Sequence, residues 1–209
     1  MDEKYVVTIT RQFGSLGRPI ARKLAEKLGI EYYDRDIVEE TARATGLDLK
    51  EVSNEEESAR NRFWRMMFPL GTPAVTNEIQ DHIFQVESGI IQDLASKESC
   101  IVVGRCAEYV LRHFSNCIRV YIYADDDQRL KNCVNVLHLD PQTSKRMMKE
   151  VDAARDAYHI RYAGYYPNDE AHKDVLLNSG FLGVDGSADV LAAMVRKKLE
   201  IGDNIDLED

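Results

Sequence analysis

Residues 5–35 read YVVTITRQFGSLGRPIARKLAEKLGIEYYDR, and this stretch decides the fold. Tyr5 to Thr10 is a β-branched and aromatic run without a turn residue, the pattern of a short buried strand. Gly14 and Gly17 then break the chain. From Pro19 a helix is predicted, with Ile20, Leu24 and Leu28 at four-residue spacing and Arg22, Lys23 and Lys27 on the other side. Proline is at home in a first helical turn, where its missing N–H costs nothing, and Gly29 suits the position just past the end. Ile30 to Tyr33 reads as a second strand. Asp34 stands at its end, able to cap a helix over Asp36 to Ala44.

Working outward, the same alternation continues. A long helix is predicted from Thr76 to Lys97 on a stripe of Ile79, Ile83, Val86, Ile90 and Leu94. A third strand, Ile101 to Val103, is closed by Gly104-Arg105, and a helix from Ala107 to His113 follows. Ile118 to Tyr123 is a fourth strand. After an acidic start at Asp125-Asp126-Asp127, two helical stretches run to about Tyr162, separated near Asp140-Pro141. Val175 to Asn178 reads as a fifth strand and Ala188 to Leu199 as a terminal helix, with an acidic tail over 201–209. Residues 48–62 are strongly charged, and 63–69 are apolar and hold the only Trp. Strands alternating with helices imply one α/β domain over 1–209, a parallel sheet of about five strands with helices on both faces. Ligands of such sheets sit at the carboxyl ends of the strands. That rule selects the turn after Thr10, then Asp34, Gly104-Arg105 and the end of the fourth strand.

Bulk properties narrow the class. The net charge of -9 speaks against sequence-independent binding to a nucleic-acid backbone, which needs clustered Lys and Arg. Cys100, Cys106, Cys117 and Cys133 form no CxxC pair and read as reduced structural thiols, which suits a reducing compartment. The N-terminus lacks the pattern of a signal peptide, and no apolar run approaches a membrane span, so a cytoplasmic protein is expected. The five His show no ligand spacing, so no protein-held metal is expected. The oligomeric state stays open.

The segment Arg11-Gln12-Phe13-Gly14-Ser15-Leu16-Gly17-Arg18 carries the first chemistry. A glycine turn between strand and helix lets backbone N–H groups converge on an anion, and the positive helix end adds to the attraction. Arg18 supplies a full charge. The pattern is not a Walker sequence: Gln12 stands at the first Gly, Arg18 at the Lys and Pro19 at the Ser/Thr. On these residues alone the turn reads either as a phosphate cradle or as a tight turn without a ligand.

A resemblance sharpens this. Thr10-Arg11, Gly14-Ser15, Gly17-Arg18, Leu24-Ala25, Leu28-Gly29 and Tyr32-Tyr33-Asp34-Arg35 resemble the opening of the cytidylate kinase-like family. Ile101 to Arg105, Ile118 to Tyr123 and Asn178-Ser179 resemble later family segments in the same order. The resemblance implies a P-loop NTPase-type three-layer sandwich with a helical lid at about 125–170. It implies ATP and Mg²⁺ as cofactors and small-molecule nucleotides as partners. Gly14, Ser15, Leu16, Gly17 and Arg18 would hold the donor phosphates, with Arg129 helping from the lid. Asp34 and Arg105 would face the acceptor, and Arg18, Arg155 and Arg161 would act as catalytic clamps. Asp152, Arg155 and Tyr158 match the family's lid pattern. Ala153 replaces a Lys, His159 a Tyr, and Cys133 stands where a second Arg is common. The expectation is a nucleoside monophosphate kinase-like enzyme with CMP as first acceptor. A catalytically weak nucleotide sensor or scaffold, or a kinase for another small acceptor, is the alternative. Ser15 or water would replace the missing Mg²⁺-touching hydroxyl.

Overall fold

A computed structural model of the chain describes residues 4–34, the single positions 37, 40, 43, 44 and 46, and 77–203. The predicted helix over 36–44 lies largely outside these residues. Segments 48–62 and 63–69 and the tail past 203 lie wholly outside them. The strands are β1 (Val6–Arg11), β2 (Glu31–Tyr33), β3 (Cys100–Val103), β4 (Cys117–Tyr123) and β5 (Val175–Asn178). The helices are α1 (Gly17–Leu28), α2 (Asn77–Lys97), α3 (Ala107–Val110), α4 (Asp126–Asn135), α5 (Pro141–Ala163) and α6 (Ser179–Asp203). The five strands form one parallel sheet in the order β2-β3-β1-β4-β5. β1 is thus central, and its carboxyl end opens between those of β3 and β4.

The two-residue period of β1 sorts the core into two layers. Val7 and Ile9 point to one face and meet Ile20 and Leu24 of α1 and Leu191 and Val195 of α6. Val6 points to the other and meets Ile91 and Ala95 of α2 and Ala107 and Val110 of α3, together with Ile37. Lys23–Asp185 and Lys27–Asp189 ion pairs decorate the α1–α6 seam; at such exposure they add little. No helix among the described residues is long and apolar enough to cross a membrane.

Three elements differ from the sequence reading. The buried line of α2 is Ile83, Glu87, Ile91 and Ala95, one step round from the predicted stripe, and a carboxylate sits inside it. The helix expected to reach His113 ends at Val110. Phe114 and Arg112 instead bond back three residues, to Leu111 and Tyr109, in turns that cover more distance per residue than an α-helix. This brings the chain back to the start of β4. Finally, α6 begins at Ser179 rather than Ala188, with Gly183 at φ 66° and ψ -170° as a break inside it. Gly180, Gly183 and Gly186 leave that segment without an apolar period, which hid its helical character.

Candidate functional site

The glycine turn is fixed by close packing from below. A Cβ on Gly14 would lie 2.8 Å from Cys133 Sγ and 3.0 Å from the Arg129 carbonyl oxygen, and Gly14 has φ 77°. A Cβ on Gly17 would lie 2.7 Å from Arg11 Cβ. Glycine is therefore required at both positions. Cys133, standing where the family commonly has a second Arg, provides the floor under Gly14.

Three side chains from two other elements, α4 and α6, then take the carbonyls of the turn. Arg129 Nε of α4 donates to Phe13 O at 2.8 Å, and Asn132 Nδ2 to Gly14 O at 2.8 Å. Ser179 Oγ donates to Ser15 O at 2.7 Å. A trans peptide sets each C=O opposite the N–H that follows. The amides of Gly14 and Leu16 are thereby turned away from these struts, as an anion cradle requires. The Phe13 amide donates to Asp152 Oδ1 of α5 at 2.7 Å. Ser15 Oγ donates within the turn to Gln12 O at 2.9 Å and lies 3.2 Å from Ile122 O, fully buried. That hydroxyl is committed to the fold, so the expectation that Ser15 replaces the Mg²⁺-touching hydroxyl is corrected. Any part it takes in a phosphate site would be through the backbone.

Four arginines gather at the mouth of this turn. Arg18 Nε lies 2.7 Å from Asp34 Oδ2, and Asp34, nearly buried, also accepts from Tyr32 Oη at 2.9 Å. Arg105 follows Gly104 in the left-handed region at φ 58°, with Nη1 3.2 Å from Glu87 Oε1. Tyr158 of α5 donates to the other Glu87 oxygen at 3.0 Å. Arg155 Nη1 donates to the carbonyl of Arg11 at 3.0 Å. The fourth is Arg11 itself, at the carboxyl end of β1. Burial, then the neighbouring charge of Arg155, pulls the Arg11 guanidinium down to about 9, and burial brings Arg155 to about 10. Burial lowers Arg18 as well. Burial would lower Arg105 too, but Glu87, with Tyr158 and Asp34 adding to it, leaves the group raised. Glu87 is itself pushed up by burial, against the pull of Arg105. Four guanidinium groups thus stand close together around Asp34, Glu87 and Asp152, and their mutual repulsion favours an anionic ligand.

Residues 6–180 match the cytidylate kinase-like family. The chain belongs to that family. It is similar to an uncharacterized protein from Eubacterium ventriosum, at 26% identity and a TM-score of 0.70, over 92% of this chain and 99% of that one. It is more distantly similar to a shikimate kinase from Bacteroides thetaiotaomicron, at 11% identity and a TM-score of 0.55, over 92% and 98% of the chains. Likewise it resembles a gluconokinase from Sinorhizobium meliloti, at 12% identity and a TM-score of 0.51, over 95% and 97%. The latter two share the P-loop kinase fold. No curated protein matches the sequence. Family and fold together make this a kinase-like phosphotransferase chain.

Within the family frame, the structure brings Arg18, Asp34, Arg105 and Arg155 to one crevice. Arg161 is elsewhere: its Nη2 lies 2.8 Å from Asp81 of α2, at the α2–α5 seam. Arg129 serves as a strut between the turn and α5, pairing with Asp152 and with Asp126. Asp152 pairs with Arg129, and its charge also acts on Arg155, one helical turn along α5. Between α4 and α5 lies a cavity of about 670 Å³ lined by Arg129, Lys145, Lys149, Asp152 and Ala153. His159 bridges the Tyr165 carbonyl, at 2.8 Å, and Glu108 Oε1, at 2.7 Å. Tyr165 stacks on His172.

Sequence reasoning passed over Glu87 and Asn132, and it matched Ser179 to the family without giving it a task. Glu87 carried a signal, a charge four residues from Ile83 and from Ile91 on one helix face. Asn132 carried none, and the strut roles of Asn132 and Ser179 exist only once α4 and α6 are docked. As for cofactors, the turned amides and the arginine forks suit phosphate oxygens. The turn offers Mg²⁺ no side-chain oxygen, because Ser15 is committed and Pro19 has none. The ion would arrive on the nucleotide and keep most of its waters.

Proposed function

We propose that the chain is an ATP-dependent phosphotransferase that carries the γ-phosphoryl group to a nucleoside monophosphate, with CMP the first acceptor to test. The observation behind this is the ion pair between Arg18 and Asp34. It joins the phosphate turn of β1 to the end of β2, so donor and acceptor sides open into one crevice. In this reading the turn and Arg18 hold the donor phosphates, while Asp34 and Arg105 hold the acceptor, with Glu87 and Tyr158 orienting Arg105. An oxygen of the acceptor phosphate attacks the γ-phosphorus. The bond from that phosphorus to the β-bridging oxygen breaks, and ADP leaves with the electron pair. Such transfer is mostly positioning and charge neutralisation, which arginines supply. Mg²⁺ would neutralise phosphate charge when bound.

One observation favours a second reading, a nucleotide sensor with little turnover: neither Ser15 nor Pro19 supplies the usual turn hydroxyl. Thermal melting with nucleotides, followed by a coupled kinase assay, separates the two. ATP or ADP at about 100 times its dissociation constant should stabilise the fold by about 2.7 kcal/mol. Absence of any shift at millimolar nucleotide, with or without Mg²⁺, rejects both readings. Binding without transfer to any monophosphate leaves the sensor.

The acceptor assignment makes its own prediction. Arg105→Ala should weaken monophosphate binding by about 1.5–3 kcal/mol, the scale of a charged hydrogen bond, and leave ATP binding nearly unchanged. Calorimetric titration of CMP into parent and variant checks it. Equal affinities would remove Arg105 from the acceptor side.

A further inference from the structure

Arg11 is part of the family-like opening, yet the reading above gives it no task. Its placement is unusual for a structural arginine. It ends the central strand, and its stem passes over Gly17, where a Cβ would meet its Cβ at 2.7 Å and its Cγ at 2.9 Å. Its tip lies over Gly104, where a Cβ would run into Nη1. The side chain therefore runs from the donor turn to the acceptor turn, and a glycine in each turn makes room for it. Its backbone carbonyl takes the hydrogen bond of Arg155, the lid arginine. Arg11 and Arg155 also line one polar cavity of about 90 Å³, with Gln12, Tyr121, Asp152 and Asp156. That is room for about three waters beside the stem of Arg11.

The charges around Arg11 point the same way. Arg11 has Arg155 and Arg105 as charged neighbours beside Asp34, and burial with those cations draws its affinity for the proton down. A buried cation set among cations is stabilised by an arriving anion, and a planar guanidinium donates to two oxygens of one phosphoryl group at once.

We propose that Arg11 is a phosphate-contacting catalytic residue, donating to the non-bridging oxygens of the phosphoryl group that passes between the two turns. This rests on the phosphotransfer reading for its catalytic part and on the crevice alone for its anion-binding part. No proton or covalent bond changes at Arg11; it holds the same hydrogen-bond donors throughout, in a position fixed by Gly17 and Gly104.

The test compares the full chain with Arg11→Gln and Arg11→Lys. Calorimetric titration with inorganic tripolyphosphate reads the anion site without any assumption about the acceptor. The expected result is at least tenfold weaker binding for Arg11→Gln and a smaller loss for Arg11→Lys, which keeps charge and stem but lacks the fork. Where CMP or another monophosphate is phosphorylated, kcat should fall about 100-fold or more in Arg11→Gln, a larger change than the rise in KM for ATP. Equal tripolyphosphate affinity in parent and both variants overturns the proposal, as does failure of the parent to bind it. If Arg11→Gln does not fold, Arg11→Lys decides alone: parent-like affinity and kcat overturn the proposal. A parent that binds tripolyphosphate in an Arg11-dependent way yet phosphorylates nothing refutes phosphotransfer while the anion site stands.

Discussion

Glu108→Gln should lower the unfolding free energy by about 3–5 kcal/mol, the cost of breaking a buried ion pair by removing one partner. Glu108 of α3 is 1% exposed, and one of its oxygens gathers donors from three other parts of the fold. Thr10 Oγ1 of β1 donates at 2.9 Å and His159 Nε2 of α5 at 2.7 Å; Lys173 Nζ, just before β5, is also hydrogen-bonded to it. Lys173 is as buried as its partner and would be left without a carboxylate. At this chain length each kcal/mol is worth about 2–4 °C, so a loss of roughly 6–20 °C in Tm is expected. Glu108→Leu combined with Lys173→Met should recover most of it, because an apolar pair of similar bulk replaces a buried ion pair at little cost. Parent-like melting of Glu108→Gln would show that the network carries no stability.

The same group sets a pH dependence. Burial alone would raise the Glu108 carboxyl. The hydrogen bond from His159 and the charge of Lys173 reverse this and hold it at about 2, against a usual 4.5. A depressed folded-state pKa gives stability that is complete above about pH 5 and is lost as pH falls toward 2. The size is about 3 kcal/mol for this one group. In urea unfolding, Glu108→Gln should flatten the decline between those pH values, and a decline as steep as the parent's would assign acid sensitivity elsewhere. His159 lies on α5, so the network also fastens the helix that carries Asp152 and Arg155 to the sheet. This is what His159 does at a position where the family has a Tyr.

What the sequence made legible follows from which interactions are local. The β-branched run before Gly14, the four-residue spacing after Pro19 and the glycine at 29 are short-range signals. Each appears in place, down to Gly29 with φ 67° and its N–H on Ala25 O. The parallel sheet followed from the alternation of such signals. Its strand order did not, since nothing near β1 says that β3 and β4 flank it. The candidate site divides in the same way. Gly14, Gly17, Arg18, Asp34 and Arg105 stand at element ends, where position alone suggests a ligand. Glu87 and Lys173 acquire a role only through partners far along the chain: Arg105 and Tyr158 for the first, Glu108 and Thr10 for the second. Arg161 illustrates the converse. A motif-like place in the lid suggested catalysis, and tertiary packing set it on Asp81.

Arg18→Ala should lower turnover by about 100-fold or more while leaving the apo fold almost intact. Arg18 stands in the first turn of α1, where a positive charge opposes the helix dipole by a few tenths to about 1 kcal/mol. The ion pair with Asp34 offsets this, but the Arg18 side chain is 35% exposed, so solvent screens much of the gain. The two terms nearly cancel, and removal should move the apo Tm by no more than about 2–4 °C, the equivalent of 1 kcal/mol. Asp34 would keep Tyr32 Oη and the field of Arg11 and Arg155. In transfer, the same charge meets negative charge developing on the phosphoryl group in a site shielded from water, where one electrostatic donor is worth about 10²–10³ in rate. Arg18→Lys is the sharper variant: it returns a compact cation to the turn and should recover part of the rate, but it gives up the Nε contact to Asp34. Asp34→Asn separates the two roles of the ion pair. It frees Arg18 for the donor phosphates, so ATP should bind more tightly in the absence of acceptor, while monophosphate binding weakens. Steady-state kinetics with CMP and calorimetric titration with ATP read these outcomes. An Arg18→Ala protein that unfolds, with nucleotide shifting neither form, would make Arg18 structural. Unchanged kcat in a stable variant would move the transition-state charge to the other arginines of the crevice.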